Sequence, residues 1–337
     1  MAKKILLFNH KGGVSKTTST YNIGWKLAEM GKRVLLVDAD PQCNLTSFFL
    51  GTDFDRFYDE PDTQNQNIKN GVDPAFQGSP NPIKAVDCKN HSRNSNLYLL
   101  AGHMNLSELE AQLTFALTAS MSLSSLQNLP GSFNELIEKT IQKYEIDYVF
   151  IDVNPGLGSI NQVMFLISDG FIIPTNPDLF CKMALNSLSY ILPSWAKWKN
   201  NNISNFTNAA YSFPAHLPQF IGTIIQRFNI RNGKAAGPYK DNIHEIKEIT
   251  KNKLVPEIQK YNMTFDVEKY TNDYCLAEIK DFASLGQTSQ QLSIPVVALT
   301  EADIPNSGVI KENLMSTLSD FQNAFINICN TIILLYE

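Results

Sequence analysis

Short apolar runs alternate with helix-like stretches along most of the chain. Strand-like runs separated by amphipathic helical patterns predict βαβ units, and therefore a doubly wound, mostly parallel sheet with helices on both faces. In the first helical pattern, Ile23 and Leu27 share one face, and Gly31 supplies a C-cap. The pattern therefore predicts an α/β fold. The predicted strands cover residues 5–8, 34–37, 97–100, 148–151, 171–173, 220–225 and 296–299.

Two polar stretches interrupt this alternation of predicted strands and helices. Residues 51–95 are rich in Asn, Asp, Gln, Gly and Pro and show no sustained periodicity, and residues 200–218 form a second polar segment. We interpret both as surface insertions in one enlarged domain that covers residues 1–337, a length sufficient to bury a large core.

A glycine-rich loop follows the first predicted strand and leads directly into the first predicted helix. A loop in this position aims backbone N–H groups and the positive end of the helix dipole at one point, which suits a polyphosphate. Lys16 is then expected to neutralise the β- and γ-phosphates, and the Thr17 hydroxyl to bind Mg²⁺. The predicted nucleotide-binding residues are Lys11, Gly12, Gly13, Val14, Ser15, Lys16, Thr17 and Thr18.

Three aspartates follow predicted strands. Asp38 and Asp40 close the second strand, and Asp152 closes the apolar strand at 148–151. The carboxyl ends of parallel strands meet at the edge where open α/β sheets bind ligands. An aspartate directly after an apolar strand is the Walker B arrangement, in which the carboxylate holds Mg²⁺. We therefore expect Asp152 to lie beside the phosphate-binding loop.

These segments together resemble the ParA/MinD family of deviant Walker A ATPases. KGGVSKTT, starting at Lys11, is similar to the family loop KGGxGKTT, with Ser15 in place of a glycine. The run from Asp38 to Thr46 resembles the switch I motif DxDPQxNxT. Residues 155–158 match the switch II turn, which Val153 and Asn154 precede where the family commonly has other residues. The similarity covers most of the chain outside the two insertions.

The resemblance implies an ATPase that uses ATP and Mg²⁺ and dimerises when ATP is bound. By this match Lys11 reaches the phosphates of the partner subunit, and Asp40 orients the attacking water while Asp38 supports the site. The implied catalytic residues are Lys11, Lys16 and Asp40, and the implied metal-binding residues are Thr17, Asp40 and Asp152. The region 279–299 resembles the part of the family fold that contributes to the adenine pocket.

The resemblance further implies a role in DNA partitioning or positioning, with nonspecific DNA, a ParB-like or other adaptor, and a cytoplasmic, nucleoid-associated location. The formal net charge of −5 requires any DNA surface to be local. Residues 227–260 hold eight basic and four acidic residues, which suits either phosphate contacts or an ordinary solvated helical face. The candidate DNA-binding residues are Arg227, Arg231, Lys234, Lys247 and Lys251.

Two other functions remain open at this point. MinD-like relatives end in a membrane-targeting helix, but no basic residue follows Lys311 here, which favours a core-packed final helix over a membrane partner. A regulatory or defence role is the other alternative, with residues 51–95 as the recognition surface. The five cysteines include no CxxC pair and predict neither zinc nor a disulfide framework. The apolar stripe of the final helix comprises Leu314, Leu318, Phe321, Phe325, Ile328, Ile332 and Leu335.

Overall fold

The computed structural model describes residues 1–119, 126–228, 230–231, 234–235, 237–270 and 273–337, and it describes 119, 230–231, 234–235 and 238 by their backbone alone. Its strands are β1 (Lys3–Leu7), β2 (Val34–Ala39), β3 (Lys89–His91), β4 (Asn94–Leu100), β5 (Tyr148–Val153), β6 (Gly170–Thr175), β7 (Gln219–Phe228), β8 (Ile230–Arg231), β9 (Lys234–Ala235) and β10 (Cys275–Lys280). Within the described residues, eight of them form one sheet in the order β10-β7-β6-β1-β5-β2-β4-β3, and β8 pairs with β9.

Parallel pairing runs through the sheet from β10 to β4, and only β3 is antiparallel, on β4 at the edge. The strand β1 lies between β5 and β6. Since β1 precedes the glycine-rich loop, this central position places the loop at the middle of the sheet's carboxyl edge. The predicted doubly wound, mostly parallel sheet is confirmed.

Helices cover both faces of the sheet. They are α1 (Lys16–Glu29), α2 (Asn44–Leu50), α3 (Phe54–Asp59), α4 (Ile68–Phe76), α5 (Glu110–Ala119), α6 (Asn128–Tyr144), α7 (Ser159–Ile167), α8 (Leu179–Asn202), α9 (Gly237–Ile249), α10 (Val255–Gln259), α11 (Ala283–Leu292) and α12 (Gly308–Tyr336). One apolar layer unites α4 to α10 with one face of the sheet. The other unites α1, α2, α3, α11 and α12 with the opposite face.

Strand residues alternate between these two layers. Leu6 and Phe8 of the first strand region pack in the layer with α8, while Ile5 and Leu7 pack in the layer with α1. Because side chains alternate along a strand, a strand that is buried on both faces reads as a continuous apolar run. This explains why short apolar runs alone located most of the central strands.

The prediction of a strand at 296–299 is wrong. Val296–Ala298 is a short 3₁₀ helix whose side chains pack in the layer with α1. The closing strand is β10, which the apolar pattern missed because only Cys275 and Ile279 in it are buried and two of its residues are charged. A buried apolar run fits a strand or a buried helical turn equally well, so periodicity does not separate them.

The two predicted insertions are more ordered than their composition suggests. Residues 51–95 contain α3, α4 and the edge strand β3, and they bury Phe57, Ile68 and Val72. In the second segment, Phe206 and Phe213 pack against Trp198 of α8, with ring centroids 6.1 and 6.4 Å from that of the tryptophan. Both segments therefore contribute to the core as well as to the surface.

The final helix α12 packs its apolar stripe against α1 and the sheet, as predicted. Leu318, Phe321, Phe325, Ile328 and Ile332 are each at most 2% exposed. In the portion of the chain that the structure describes, no helix is both long enough and apolar enough to cross a membrane.

Candidate nucleotide-binding site

A cavity of about 810 Å³ lies at the carboxyl edge of the sheet. The loop between β1 and α1 forms its floor, and Asp40 and Pro155 lie on its walls. A volume of this size is within the range of sites for small ligands. The structure thus brings the glycine-rich loop and Asp40 to one cavity.

The loop delivers the chain into α1 through left-handed backbone. Gly13 has φ +72°, and Ser15, the residue before the helix, has φ 60° and ψ 34°. A serine in this conformation costs roughly 1 kcal/mol or more, which a glycine avoids. Ser15 therefore adopts the backbone angles that favour the family's glycine, and the departure from the family motif leaves the turn into the helix intact.

Neighbouring strands hold this loop by its carbonyl groups. The Gly13 carbonyl accepts from Asn176 Nδ2 at 3.0 Å and from Arg227 Nη1 at 3.1 Å. The Val14 carbonyl accepts from Gln226 Nε2 at 3.1 Å. These bonds hold the loop at the N-terminus of α1, where backbone N–H groups and the helix dipole suit an anion.

Lys16 is the buried cation of the site. The residue is 7% exposed, and its Nζ donates to the Asn9 carbonyl at 3.0 Å. Burial lowers the pKa of Lys16, and the nearby charges of Asp152 and Asp40 only partly offset this effect. A phosphate anion at this position would restore the stability of the charged form.

Asp152 and Thr17 form the site's metal-binding candidate pair. Thr17 Oγ1 donates to Asp152 Oδ2 at 2.6 Å. Asp152 is fully buried, and among the described residues its Oδ1 atom has no hydrogen-bond partner. Burial and the charge of Asp38 raise the pKa of Asp152. An unpartnered carboxylate oxygen beside a threonine hydroxyl fits Mg²⁺, which binds proteins through one or two such oxygens together with substrate phosphates.

The two aspartates of the second strand differ in what they contact. Asp38 Oδ2 accepts from the Thr46 backbone at 2.8 Å and from its hydroxyl at 2.7 Å, which ties α2 to β2. Burial raises the pKa of Asp38 to about 6. Asp40 lines the cavity, and its Oδ1 accepts from Gln42 N at 2.8 Å. Asp38 thus ties the segment after β2 to the strand, while Asp40 faces the cavity.

Lys11 points away from Lys16. Its Nζ lies 2.6 Å from Asp178 Oδ2 and 3.4 Å from Cys181 Sγ at the start of α8. Burial opposes its charge, but the hydrogen bond and charge of Asp178 outweigh burial and raise the pKa of Lys11. Leu179, Phe180 and Met183 of α8 are exposed, and Lys11 Nζ lies 6.0 Å from the centroid of the Phe180 ring. Of the two loop lysines, only Lys16 therefore lines the cavity.

Among the candidate DNA-binding residues whose side chains are described, two are ion-paired and one lines the nucleotide cavity. Lys247 Nζ lies 2.6 Å from Glu278 Oε1, and Lys251 Nζ lies 3.0 Å from Asp273 Oδ1, so each is ion-paired. Arg227 lines the nucleotide cavity. The side chains of Arg231 and Lys234 lie outside the described residues. DNA binding by this segment remains a prediction.

Several residues that line the cavity were not predicted from the sequence. They come from the turn before α2 and α2 itself, from the start of the 51–95 segment, from β7, and from the end of α11 and the residue that follows it. A hydrophobic or polar side chain next to a helix end carries no sequence signal of its own, and only the topology brings it to the loop. The additional lining residues include Gln42, Asn44, Ser47, Phe48, Gly51, Thr52, Arg227, Gln290 and Ser293.

The fold and the loop define a P-loop nucleotide-binding protein. A family model described as an AAA domain, AAA_31, matches residues 2–205, more than half of the chain. The chain therefore belongs to this family, the ParA/MinD type of ATPase, as its motifs indicated.

Named relatives and solved structures agree with this assignment. The chain is 32% identical over 192 residues to the sporulation initiation inhibitor protein Soj of Bacillus subtilis, a match that covers 57% of this chain and 64% of Soj. It is 30% identical over 168 residues to a Thermus thermophilus protein named "Probable plasmid-partitioning protein ParA", covering 50% of this chain and 42% of that protein. The chain spans about half the length, 51%, of the first curated relatives that it matches.

The structure also superimposes on an ATP complex of McdA from Cyanothece. The TM-score is 0.59 and the identity 20%, and the match covers 96% of each chain. At this identity the likeness shows a shared fold.

Proposed function

We propose that this protein is an ATP-driven dimerising switch that hydrolyses ATP to ADP and phosphate and positions or segregates DNA. The observation that carries the proposal is the cavity lined by the loop before α1, by the buried Lys16 and by Thr17, whose hydroxyl donates to the buried Asp152. A helix N-terminus with a buried cation and an unpartnered carboxylate oxygen suits a magnesium-bound polyphosphate.

The residues of the site have different roles in hydrolysis. The N–H groups of the loop and the Lys16 ammonium bind the phosphates and stabilise the negative charge that shifts toward the leaving oxygen. Asp40, fixed by its bond to Gln42 N, orients a water whose oxygen bonds to the γ-phosphorus as the bond to the β–γ bridging oxygen breaks. Thr17 and Asp152 would hold Mg²⁺, which supplies charge neutralisation at the phosphates.

Dimerisation is proposed to depend on Lys11. In the isolated subunit this lysine is bound by Asp178 on a surface where Phe180 and Met183 are exposed. An ammonium at such a surface is available to the phosphates of a second copy, which carry more negative charge than one carboxylate. ATP binding and dimerisation are then linked, and loss of the γ-phosphate loosens the dimer.

The DNA role rests on family membership and on relatives named for plasmid partitioning, with a ParB-like or other adaptor as the partner and the nucleoid as the location. Lys247 and Lys251 would have to leave Glu278 and Asp273 to contact phosphates, or the dimer would have to present other cations. Such contacts would be sensitive to salt, because each releases counterions from DNA.

The experiment that tests the proposal compares wild type, Lys11→Ala and Asp40→Ala, each with and without Mg-ATP. Sedimentation velocity measures dimerisation, phosphate release measures hydrolysis, and a nonspecific duplex at two salt concentrations measures DNA binding. We expect wild type to dimerise and bind DNA only with Mg-ATP. Lys11→Ala should bind ATP as a monomer, and Asp40→Ala should remain dimeric and DNA-bound without releasing phosphate.

Different results would remove different parts of the proposal. ATP-driven dimerisation without salt-sensitive DNA binding would leave the switch and exclude the DNA role. If Lys11→Ala dimerised at the ATP concentration that dimerises wild type, the proposed contact of Lys11 with the phosphates of the second copy would be excluded. Absence of Mg-ATP binding by the wild type would overturn the proposed function as a whole.

A further inference from the structure

Arg227 occupies an irregular position in the sheet. In the pairing of β7 with β10, Gln226 is opposite Ile279 and Phe228 is opposite Lys280, so Arg227 is an extra residue in β7. The apolar layers show the same interruption, because Ile225 and Phe228 pack in one layer although they are three positions apart. Regular alternation would place them on opposite faces. Bulges of this kind redirect a side chain and are frequent beside active sites.

The backbone of Arg227 is also strained. Its φ is 62°, in the left-handed region that a residue with a long side chain rarely adopts. Such a conformation costs about 1–3 kcal/mol and persists where the surrounding structure or a function requires it. The strain and the bulge coincide on the one β7 residue whose side chain lines the nucleotide cavity alongside the loop before α1.

Two contacts with the protein orient the guanidinium group of Arg227. Nη1 donates to the Gly13 carbonyl at 3.1 Å, and Nε lies 4.0 Å from Asp281 Oδ2. Asp281 is itself held, because its Oδ1 accepts from Ala283 N at 2.8 Å. The arginine side chain nevertheless remains 54% exposed. Two of the three guanidinium nitrogens are thus directed at protein atoms, which leaves the flat face of the group for a ligand.

A second cavity, of about 330 Å³, adjoins the first, and neither Asp38 nor Asp40 is among its lining residues. Residues 279–283 and part of α11 form its far wall, and Ser15, Phe48 and Arg227 line both cavities. A nucleotide whose phosphates lie on the loop must extend its sugar and base across the mouth of the first cavity. Arg227 stands where the two cavities join.

We propose that Arg227 stacks the face of its guanidinium on the nucleobase of bound ATP and so holds the nucleoside end of the ligand. This inference rests on the proposed ATP site. A planar, weakly hydrated cation binds an aromatic ring by its face, which lysine cannot reproduce. The same side chain then bridges the base, the Gly13 carbonyl and Asp281, and its role is at the nucleotide rather than on a DNA surface.

The test compares ligands that share phosphates but differ in whether they carry a base. Calorimetric titrations measure Mg-ATP, Mg-ADP and inorganic tripolyphosphate binding to the full chain. The proteins are wild type, Arg227→Ala, Arg227→Lys, Arg227→Gly, and the matched control Lys251→Ala from the same basic segment. Arg227→Gly removes the side chain while relieving the left-handed backbone, so its binding loss does not come from unfolding.

We expect all three Arg227 variants to bind ATP and ADP about tenfold more weakly than wild type, as the loss of a desolvated cation–π contact implies. Tripolyphosphate should bind within about twofold of wild type, and Lys251→Ala should bind every ligand normally. An equal loss for tripolyphosphate, or full rescue by lysine, would show a phosphate contact and overturn the stacking role. Unchanged ATP binding with weakened DNA binding would also overturn it. Failure of wild type to bind ATP would instead reject the proposed function.

Discussion

Buried charges lie at both edges of the sheet, and the two edges differ in whether these charges have partners within the chain. At the amino edge, Lys4 Nζ lies 2.7 Å from Glu138 Oε1, and its backbone N–H donates to Asp169 Oδ2 at 2.7 Å. His216 Nε2 is 3.0 Å from Asp169 Oδ1, and Lys199 Nζ donates to the carbonyls of Leu166 and His216. Each charged group of this cluster is satisfied by the chain itself.

At the carboxyl edge the charges are not balanced. Asp40 and Asp152 lie near the buried cation Lys16, Asp38 lies near both of these aspartates, and burial raises the pKa of all three carboxyl groups. Within the described residues, Asp152 Oδ1 is left without a partner. A buried charge cluster that is complete stabilises one structure, whereas an incomplete one is a site for a charged ligand. Four variants test this distinction.

The largest effect is expected from Lys16→Ala. Lys16 is the buried cation nearest the expected phosphates, and its removal takes away charge-assisted hydrogen bonds in a low-dielectric cavity. We expect Mg-ATP binding to weaken by a factor on the order of a hundred or more. Isothermal titration of the variant against wild type provides the measurement.

Lys199→Met is the matched control, because it removes a lysine that is also buried but belongs to the amino edge. Its Mg-ATP affinity should stay within about twofold of wild type. If Lys199→Met lost affinity as strongly as Lys16→Ala, or if Lys16→Ala kept it, the distinction between the two edges would fail.

The pH dependence of stability gives the second effect. Burial lowers the pKa of Lys199 from 10.5 to about 7. Between these values the unfolded chain binds more protons at this lysine than the folded protein, so its contribution to stability rises with pH. We expect the free energy of unfolding of wild type to gain about 2 kcal/mol over Lys199→Met between pH 7 and pH 9. Urea unfolding at both pH values measures it.

A difference between the two proteins that does not change with pH would show that Lys199 keeps its proton in the fold. The prediction concerns only this lysine, because subtracting the variant's curve removes the contribution of other groups that titrate in the same range. Lys4 and Asp169 are the charges that act on Lys199, and both are present in the two proteins.

The sequence predicted the central half of the site better than its outer half. The loop after β1 and the aspartates at the carboxyl ends of β2 and β5 each had a motif or strand-end signal in the sequence, and the structure places them on three adjacent strands. Arg227 depends on a bulge, which exists only once β7 and β10 pair. The ion pairs of Lys247 and Lys251 arise from residues far along the chain, and no local pattern signals them.

The third variant, Asp152→Asn, separates folding from ligand binding. Asparagine keeps an oxygen for the Thr17 hydroxyl, and it removes a charge that burial and Asp38 disfavour. We expect the free protein to gain about 1–2 kcal/mol in its free energy of unfolding. Thermal unfolding with and without Mg-ATP should show a higher Tm for the free variant but little further rise with ligand. A loss of stability without ligand would contradict the view that this edge is left unbalanced for binding.

The smallest effect is expected from Asp178→Asn, which tests a charge of intermediate character. The Lys11–Asp178 pair is satisfied within the subunit, as at the amino edge, yet it lies 24% and 38% exposed beside the site. Asparagine preserves the cap of α8, in which Asp178 Oδ1 accepts from Cys181 N at 2.9 Å, but weakens the hold on Lys11. A partly exposed pair contributes about 0.5 kcal/mol, so ATP-driven dimers should form about twofold more tightly by sedimentation. Weaker dimers would indicate that Asp178 itself is needed across the interface. The Lys11–Asp178 pair would then resemble the amino-edge cluster, whose charged groups are satisfied by the chain itself.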